Sequence, residues 1–337
     1  MRLYSGIDLH SNNCVVTVIN EEGLTVYEKR IANDIEMIKR VLLPHKESLA
    51  GTVVESTYNW YWLVDGLQEA NFKVHLANTT AIQQYSGIKN TNDRTDARWL
   101  AEMLRLNILP TGYICPVEQR AIRDLARKRL QLVSQRTRNL LSLQTLITRL
   151  TSVTMKCNAI KKLTEENLKN IISNPNHYVA ARANLRLLQQ IDSEEENITN
   201  EILRQIKLTP IFQKLTEVPG IGKTLAITIM LETGDINRFP KVGNYASYCR
   251  CVGSKKESNG KSKGKNNTKN GNKYLSWAFI EAANFAIRYY PEIKKFYQRK
   301  LSKSGGTVAI KAVAHKLARA SYHILKNGDI FDMSKAF

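Results

Sequence analysis

The chain has 337 residues, 43% hydrophobic and 8% aromatic, enough for two or three domains with packed cores and too apolar for a disordered chain. No charged leader with an apolar run opens it and no stretch is long enough to cross a bilayer, which predicts a soluble cytoplasmic protein without membrane contact. Its net charge of +20 is lopsided: residues 1–110 carry −2 and residues 111–337 carry +22, so nucleic acid is the expected partner of the second part.

Residues 3–31 read as three short strands, Leu3–Leu9, Cys14–Ile19 and Leu24–Ile31, with a turn at Asn20–Gly23. A helix follows, capped by Asn33 or Asp34, with Ile35, Ile38, Val41 and Leu42 on one face. Then come a buried strand at Gly51–Glu55, a helix at Tyr58–Ala70 and a strand at Phe72–Ala77. An antiparallel meander followed by alternating helix and strand is the order of a ribonuclease H-like α/β domain. A further helix starts near Asp93, because Ala97, Leu100, Ala101 and Leu104 recur at helical spacing.

The acids on this plan are its most informative feature. Asp93 and Asp96, three residues apart, project from one face of the last helix, where like charges repel unless a cation lies between them. Asp8 lies in the first strand and Glu55 at the end of the fourth, neighbours in that topology. Four carboxylates meeting at one point suit two Mg²⁺ ions, with Mn²⁺ as an alternative, since hard cations take oxygen ligands. A pair of such ions clamps the attacking and leaving oxygens of a phosphodiester.

The segments Gly6-Ile7-Asp8-Leu9-His10-Ser11, Val54-Glu55-Ser56-Thr57 and Asn92-Asp93-Arg94-Thr95-Asp96-Ala97 resemble the D-E-D-D signature of the IS110/IS1111 transposases, which are related to the Piv-type DNA invertases. The resemblance implies a RuvC-like fold over residues 1–112 and a Mg²⁺-dependent catalytic site at Asp8, Glu55, Asp93 and Asp96.

Residues 113–208 read as long helices without glycine. Ile122, Ala126, Val133, Leu140, Leu143, Ile147 and Leu150 form a heptad-like seam that Arg129 and Arg136 interrupt. Asn174-Pro175-Asn176 breaks the run, and Leu188, Ile191, Ile198 and Ile202 line a second helix. An antiparallel hairpin with an intermolecular coiled-coil seam is expected, and the resemblance implies a homodimer or homotetramer.

Residues 209–337 form a mainly helical third part. Val218-Pro219-Gly220-Ile221-Gly222-Lys223 reads as a helix-hairpin-helix: glycines permit the turn, while helix N-terminal amides and Lys223 face a phosphate. Residues 254–273 then form a flexible basic loop in which Lys255, Lys256, Lys261, Lys263, Lys265, Lys269 and Lys273 bind phosphate. Cys249-Arg250-Cys251 lacks a second ligand pair for zinc and reads as a strand fragment; five scattered cysteines fit reduced thiols. Two amphipathic helices, Trp277–Tyr290 and Thr307–Lys326, close the chain.

Ser258-Asn259-Gly260-Lys261 and Gly271-Asn272-Lys273-Tyr274-Leu275 also match the family's layout, with Asn259-Gly260 where the family usually carries two glycines. The resemblance implies that Ser258 (with Ser254 and Ser262 as alternatives) is a nucleophile forming a phosphoserine ester with DNA, in a site shared between domains. It further implies double-stranded DNA at element ends and target as substrate, and an element-encoded non-coding RNA as guide. The expected function is therefore that of an insertion-sequence transposase and DNA recombinase. The alternatives are a RuvC-like junction endonuclease using water, and a nucleic-acid-binding protein without catalysis.

Overall fold

The β-branched residues of the first 32 positions fold as a meander. In the computed structural model, which describes residues 1–82, 92–206, 209–254, 256–264 and 267–337, β1 (Leu3–Leu9), β2 (Asn13–Ile19) and β3 (Thr25–Ala32) pair antiparallel. At the β2–β3 turn the Asn20 side chain accepts the amides of Glu22 and Leu24, with Gly23 at φ +80°. Asp34 accepts the Glu36 and Met37 amides and so caps α1 (Ile35–Leu42). The chain then runs through β4 (Leu49–Glu55), α2 (Tyr61–Glu69) and β5 (Val74–Ala77). Because β4 pairs parallel to β1 and β5 parallel to β4, the sheet order is β3-β2-β1-β4-β5. This mixed α/β arrangement is consistent with the ribonuclease H-like plan.

α2 begins three residues later than the sequence pattern suggests. The Thr57 hydroxyl donates to the Asn59 side-chain oxygen Oδ1 and closes a short polar link ahead of it, leaving Tyr58 exposed while Trp60 is buried. Ile7, Val16, Val54, Ile38, Leu63 and Leu67 form the main core against α1 and α2. On the other side α3 (Asp93–Arg105) packs Leu100 and Met103 against Val53 and Ala77. Helical cover on both faces explains why β1 reads as an almost continuous apolar run.

The described chain clusters into two units, Met1–Ile114 and Cys115–Phe337. In the second, α4 (Val117–Thr151) and α7 (Pro175–Ile206) are joined through α5 (Cys157–Ile160) and α6 (Glu165–Ile171). Arg129 pairs with Glu195, Arg136 with Asp192, and Asn184 with Ser142, so numbers rise along one helix as they fall along the other. The hairpin is antiparallel. The two arginines that interrupt the apolar seam find their partners within the same chain: Arg129 also donates to Thr199 at 2.7 Å and Arg136 to Glu195 at 3.0 Å. Asn174 starts α7 by accepting the Asn176 and His177 amides, so the Asn-Pro-Asn break is a helix cap.

The rest of this unit contains α8 (Pro210–Thr216), α9 (Lys223–Thr233), α10 (Val242–Tyr248), the two-residue strands β6 (Glu257–Ser258) and β7 (Lys261–Ser262), α11 (Lys273–Tyr289), α12 (Pro291–Leu301) and α13 (Gly306–Asn327). Its core includes Phe212, Leu225, Tyr245, Phe279, Ala282 and Leu317, and takes in Ala126, Ile202 and Ile206 from the hairpin's base. Cys249-Arg250-Cys251 is no strand. Cys249 ends α10 and Arg250 sits at φ +56°, which turns the chain away from helix; both thiols are buried. Burial pushes the Cys251 thiol up to about 12, so it stays protonated at neutral pH. All five cysteines are free, and no helix among the described residues is long and apolar enough to cross a membrane.

Candidate active site

The first site is built on a close contact between backbones. A Cβ on Gly6 of β1 would lie 2.0 Å from the Ala97 carbonyl oxygen and 2.7 Å from the Ala101 amide nitrogen. Only glycine fits there, and small residues on α3 let the helix lie directly on the strand. This contact carries the first turn of α3 to the C-terminal end of β1. Asn92 accepts the Arg94 and Thr95 amides while Thr95 reaches back to the Asn92 amide, so a capping box fixes where that turn begins.

Asp8, Glu55 and Asp96 consequently line one cavity of about 410 Å³, together with His10, Thr57, Thr79 and Trp99. Ile7 registers with Val54 across the parallel pair, which brings Asp8 beside Glu55. Burial, a hydrogen bond with Asp8 and the charges of Asp8 and Asp96 push the Glu55 carboxyl up to about 8. Three acids converging without a cation thus keep a proton between them, and a divalent cation would replace it. That donor chemistry fits a metal site.

Asp93 does not line this cavity. It stands beside it, tied by its Oδ2 to Arg30 Nη2 at 2.5 Å and His10 Nε2 at 3.1 Å. Hydrogen bonds from Arg30 and then His10 hold its carboxyl below the usual carboxylate range. His10 Nε2 also lies 3.4 Å from Asp8 Oδ2. The donor atoms of Asp8, His10 and Asp93 all fall within 4.8 Å of one another. His10 and Arg30 escaped the sequence reasoning. For His10 a signal existed, since it stands two residues past Asp8 and continues the same strand alternation. Arg30 gave none, because its proximity to Asp93 exists only in the folded sheet.

In the second unit the expected flexible loop is locally ordered. Ser258 pairs with Lys261 across the turn Asn259-Gly260, whose φ values of +49° and +68° make a tight two-residue hairpin. Asparagine tolerates the left-handed region better than other non-glycine residues, which accounts for Asn259 at a position where glycine is usual in the resembling family. Ser258 and Lys256, Lys261, Lys263, Lys269 and Lys273 are all exposed. Lys255 and Lys265 lie outside the described residues. The segment's ends are fastened: Arg250 donates to the carbonyls of Lys269 and Gly271, and the Asn272 amide donates to Tyr248 O at 2.6 Å. Asn272 also caps α11 and donates to Glu232 at 2.7 Å, which in turn holds Arg127.

At the α8–α9 turn, Gly220 has φ +80°, and a Cβ there would lie 2.1 Å from the Ala282 carbonyl oxygen. Its requirement is thus a packing one, against α11. Gly222 and Lys223 face open solvent at the start of α9, which has no side-chain cap.

A mixed sheet carrying Asp8 and Glu55 on neighbouring strands, with Asp93 and Asp96 on the helix packed against it, defines a DEDD-type α/β domain, followed by a mainly helical unit. Family comparison agrees. Residues 5–152, which include all four acids, match the IS110-type DEDD transposase model, and residues 212–298, which include Ser258, match "Transposase IS116/IS110/IS902 family". The chain belongs to the IS110 family of transposases. It is 25% identical over 134 residues to the "Insertion element IS110 uncharacterized 43.6 kDa protein" of Streptomyces coelicolor, covering 40% of this chain and 32% of that relative.

Proposed function

We propose that the chain is the transposase of an insertion element, a site-specific DNA recombinase that cuts and rejoins strands through a phosphoserine ester. The strongest support is the meeting of Asp8, Glu55 and Asp96 in one cavity with Asp93 at its side. Asp8, Glu55, Asp93 and Asp96 hold two divalent ions, Mg²⁺ in the simplest reading. When bound, those ions polarise the phosphodiester and lower the cost of charge on its oxygens. Ser258 Oγ forms the new bond to phosphorus; one sugar oxygen of the phosphodiester leaves as a hydroxyl and takes up the equivalent of the proton that serine loses. Conserving the bond energy in the ester makes rejoining possible without a further energy source.

The lysines of 255–273 neutralise backbone phosphates, and the turn at Gly220-Ile221-Gly222-Lys223 acts as a helix-hairpin-helix, offering α9 amides to another phosphate. Neither reads bases, so sequence choice falls to an element-encoded RNA pairing with donor and target. A homodimer or homotetramer then handles the paired ends. The α4–α7 hairpin serves as its assembly element, with faces left outside the intramolecular seam.

Incubation with end-containing DNA, the encoded RNA and Mg²⁺, followed by denaturing electrophoresis, tests this. A protein–DNA adduct that is lost in Ser258→Ala is expected; hydrolysed ends without an adduct would indicate the junction endonuclease instead. Recombination that survives Asp8→Asn would reduce the acids to a structural role.

A further inference from the structure

We propose that His10 is itself a metal ligand, giving the position between Asp8 and Asp93 a mixed nitrogen–oxygen donor set that selects a first-row transition ion over Mg²⁺. This rests on the reading that the carboxylates hold divalent ions, and it concerns one of the two positions. His10 Nε2 lies 3.1 Å from Asp93 Oδ2 and 3.4 Å from Asp8 Oδ2. Neighbouring ligands around an octahedral ion bonded at about 2.1 Å stand about 3.0 Å apart. The three donor atoms already have nearly the spacing of one octahedral face or meridian.

The imidazole is also held in place before any ion arrives. The His10 carbonyl accepts from Asn59 Nδ2 at 2.9 Å and Asn33 Nδ2 at 3.0 Å, and its amide donates to Asn13 O at 2.9 Å. Three anchors on one residue's backbone fix the end of β1, and the side chain leaves from that fixed point. Arg30 bonds the same Asp93 Oδ2 that faces His10 and so fixes that carboxylate oxygen beside the imidazole. Ligation requires Nε2 to be free of its hydrogen, so the ring carries its proton on Nδ1 when an ion is bound.

Mg²⁺ prefers an all-oxygen shell and keeps its waters, whereas imidazole favours transition ions. Mn²⁺ accepts both donor types and is paramagnetic, so it is the probe. Pulsed electron paramagnetic resonance of the full-length protein loaded with Mn²⁺ should show nitrogen hyperfine coupling, and His10→Gln should remove it. In calorimetry His10→Gln should weaken Mn²⁺ binding roughly tenfold or more while leaving Mg²⁺ binding within about twofold. His10→Asp, which supplies oxygen instead, should move the preference toward Mg²⁺. Absence of nitrogen coupling in the wild-type protein, or equal losses for both ions in folded His10→Gln, overturns the proposal. None of these readouts needs DNA. A protein that shows the coupling but forms no Ser258 adduct therefore refutes the recombinase reading and leaves His10 as a ligand.

Discussion

Gly6→Ala tests the architecture of the acid site without touching an acid. The new methyl would stand 2.0 Å from the Ala97 carbonyl oxygen, where ordinary contact begins at 3.4 Å, so α3 must retreat by about 1.4 Å or tilt by an equivalent amount. Trimming a side chain brings no relief, because the opposing atoms belong to the helix backbone. Overpacking of this kind costs about 1–3 kcal/mol. The functional loss should exceed the stability loss, because α3 carries Asp93 and Asp96 and metal sites tolerate only about 0.2 Å of ligand displacement. Divalent-ion binding followed by calorimetry should weaken by roughly tenfold or more, with far-ultraviolet circular dichroism retained. Gly243→Ala is the matched control, since a Cβ there meets nothing within 4 Å. A folded Gly6→Ala protein that binds ions as tightly as wild type would refute the account of how the site is assembled.

Three further outcomes follow from other contacts. Glu55 titrates at about 8 in the folded chain against 4.5 when unperturbed, so between those values the native state binds more protons than the unfolded one. Stability of the chelator-treated protein should therefore fall as pH rises from about 5 to 8, by about 1–2 kcal/mol after discounting for partial exposure; Glu55→Gln should flatten a melting-temperature profile over that range. In the hairpin, Arg129→Ala removes one of the two arginines that hold the largely buried Glu195 carboxylate, leaving Arg136, and should cost about 2 kcal/mol in denaturant titrations, whereas Arg204→Ala, an exposed pair, should leave the midpoint unchanged. Asn259→Val should open the turn beside Ser258 at a cost of about 1–2 kcal/mol and reduce adduct yield, while Asn259→Gly preserves both, read by denaturing electrophoresis.

Much of the first unit was legible in the sequence because it rests on local rules. Strands β1 to β4 follow β-branched runs and turn residues, and Asp8 and Glu55 meet because adjacent parallel strands put them there. The bond between His10 and Asp93 is different in kind: it joins residues 83 positions apart and depends on α3 lying flat on Gly6. No periodicity reports such a contact. Arg129 and Arg136 looked like faults in an apolar seam until Glu195 and Asp192 appeared opposite them. The lysine-rich segment looked structureless because it has no apolar pattern, yet Asn259-Gly260 is itself a hairpin signal that composition obscured. Cys249-Arg250-Cys251, which reads as a strand fragment in the sequence, instead lies where a helix ends.

The charged middle of the α4–α7 hairpin separates two apolar clusters. One includes Ala126, Ile202 and Ile206 and belongs to the C-terminal core; the other gathers Leu143, Ile147, Leu168 and Leu185 at the far end. Between them run Arg129, Arg136, Asp192 and Glu195. Apolar packing carries folding cooperativity from one residue to the next, and here it is interrupted across both helices at the same level. The distal end is thereby expected to open as a separate foldon. Its amides should exchange with solvent through an opening that leaves the base intact, so that this end of the hairpin can come apart and reform while the core around Tyr245 and Phe279 stays closed.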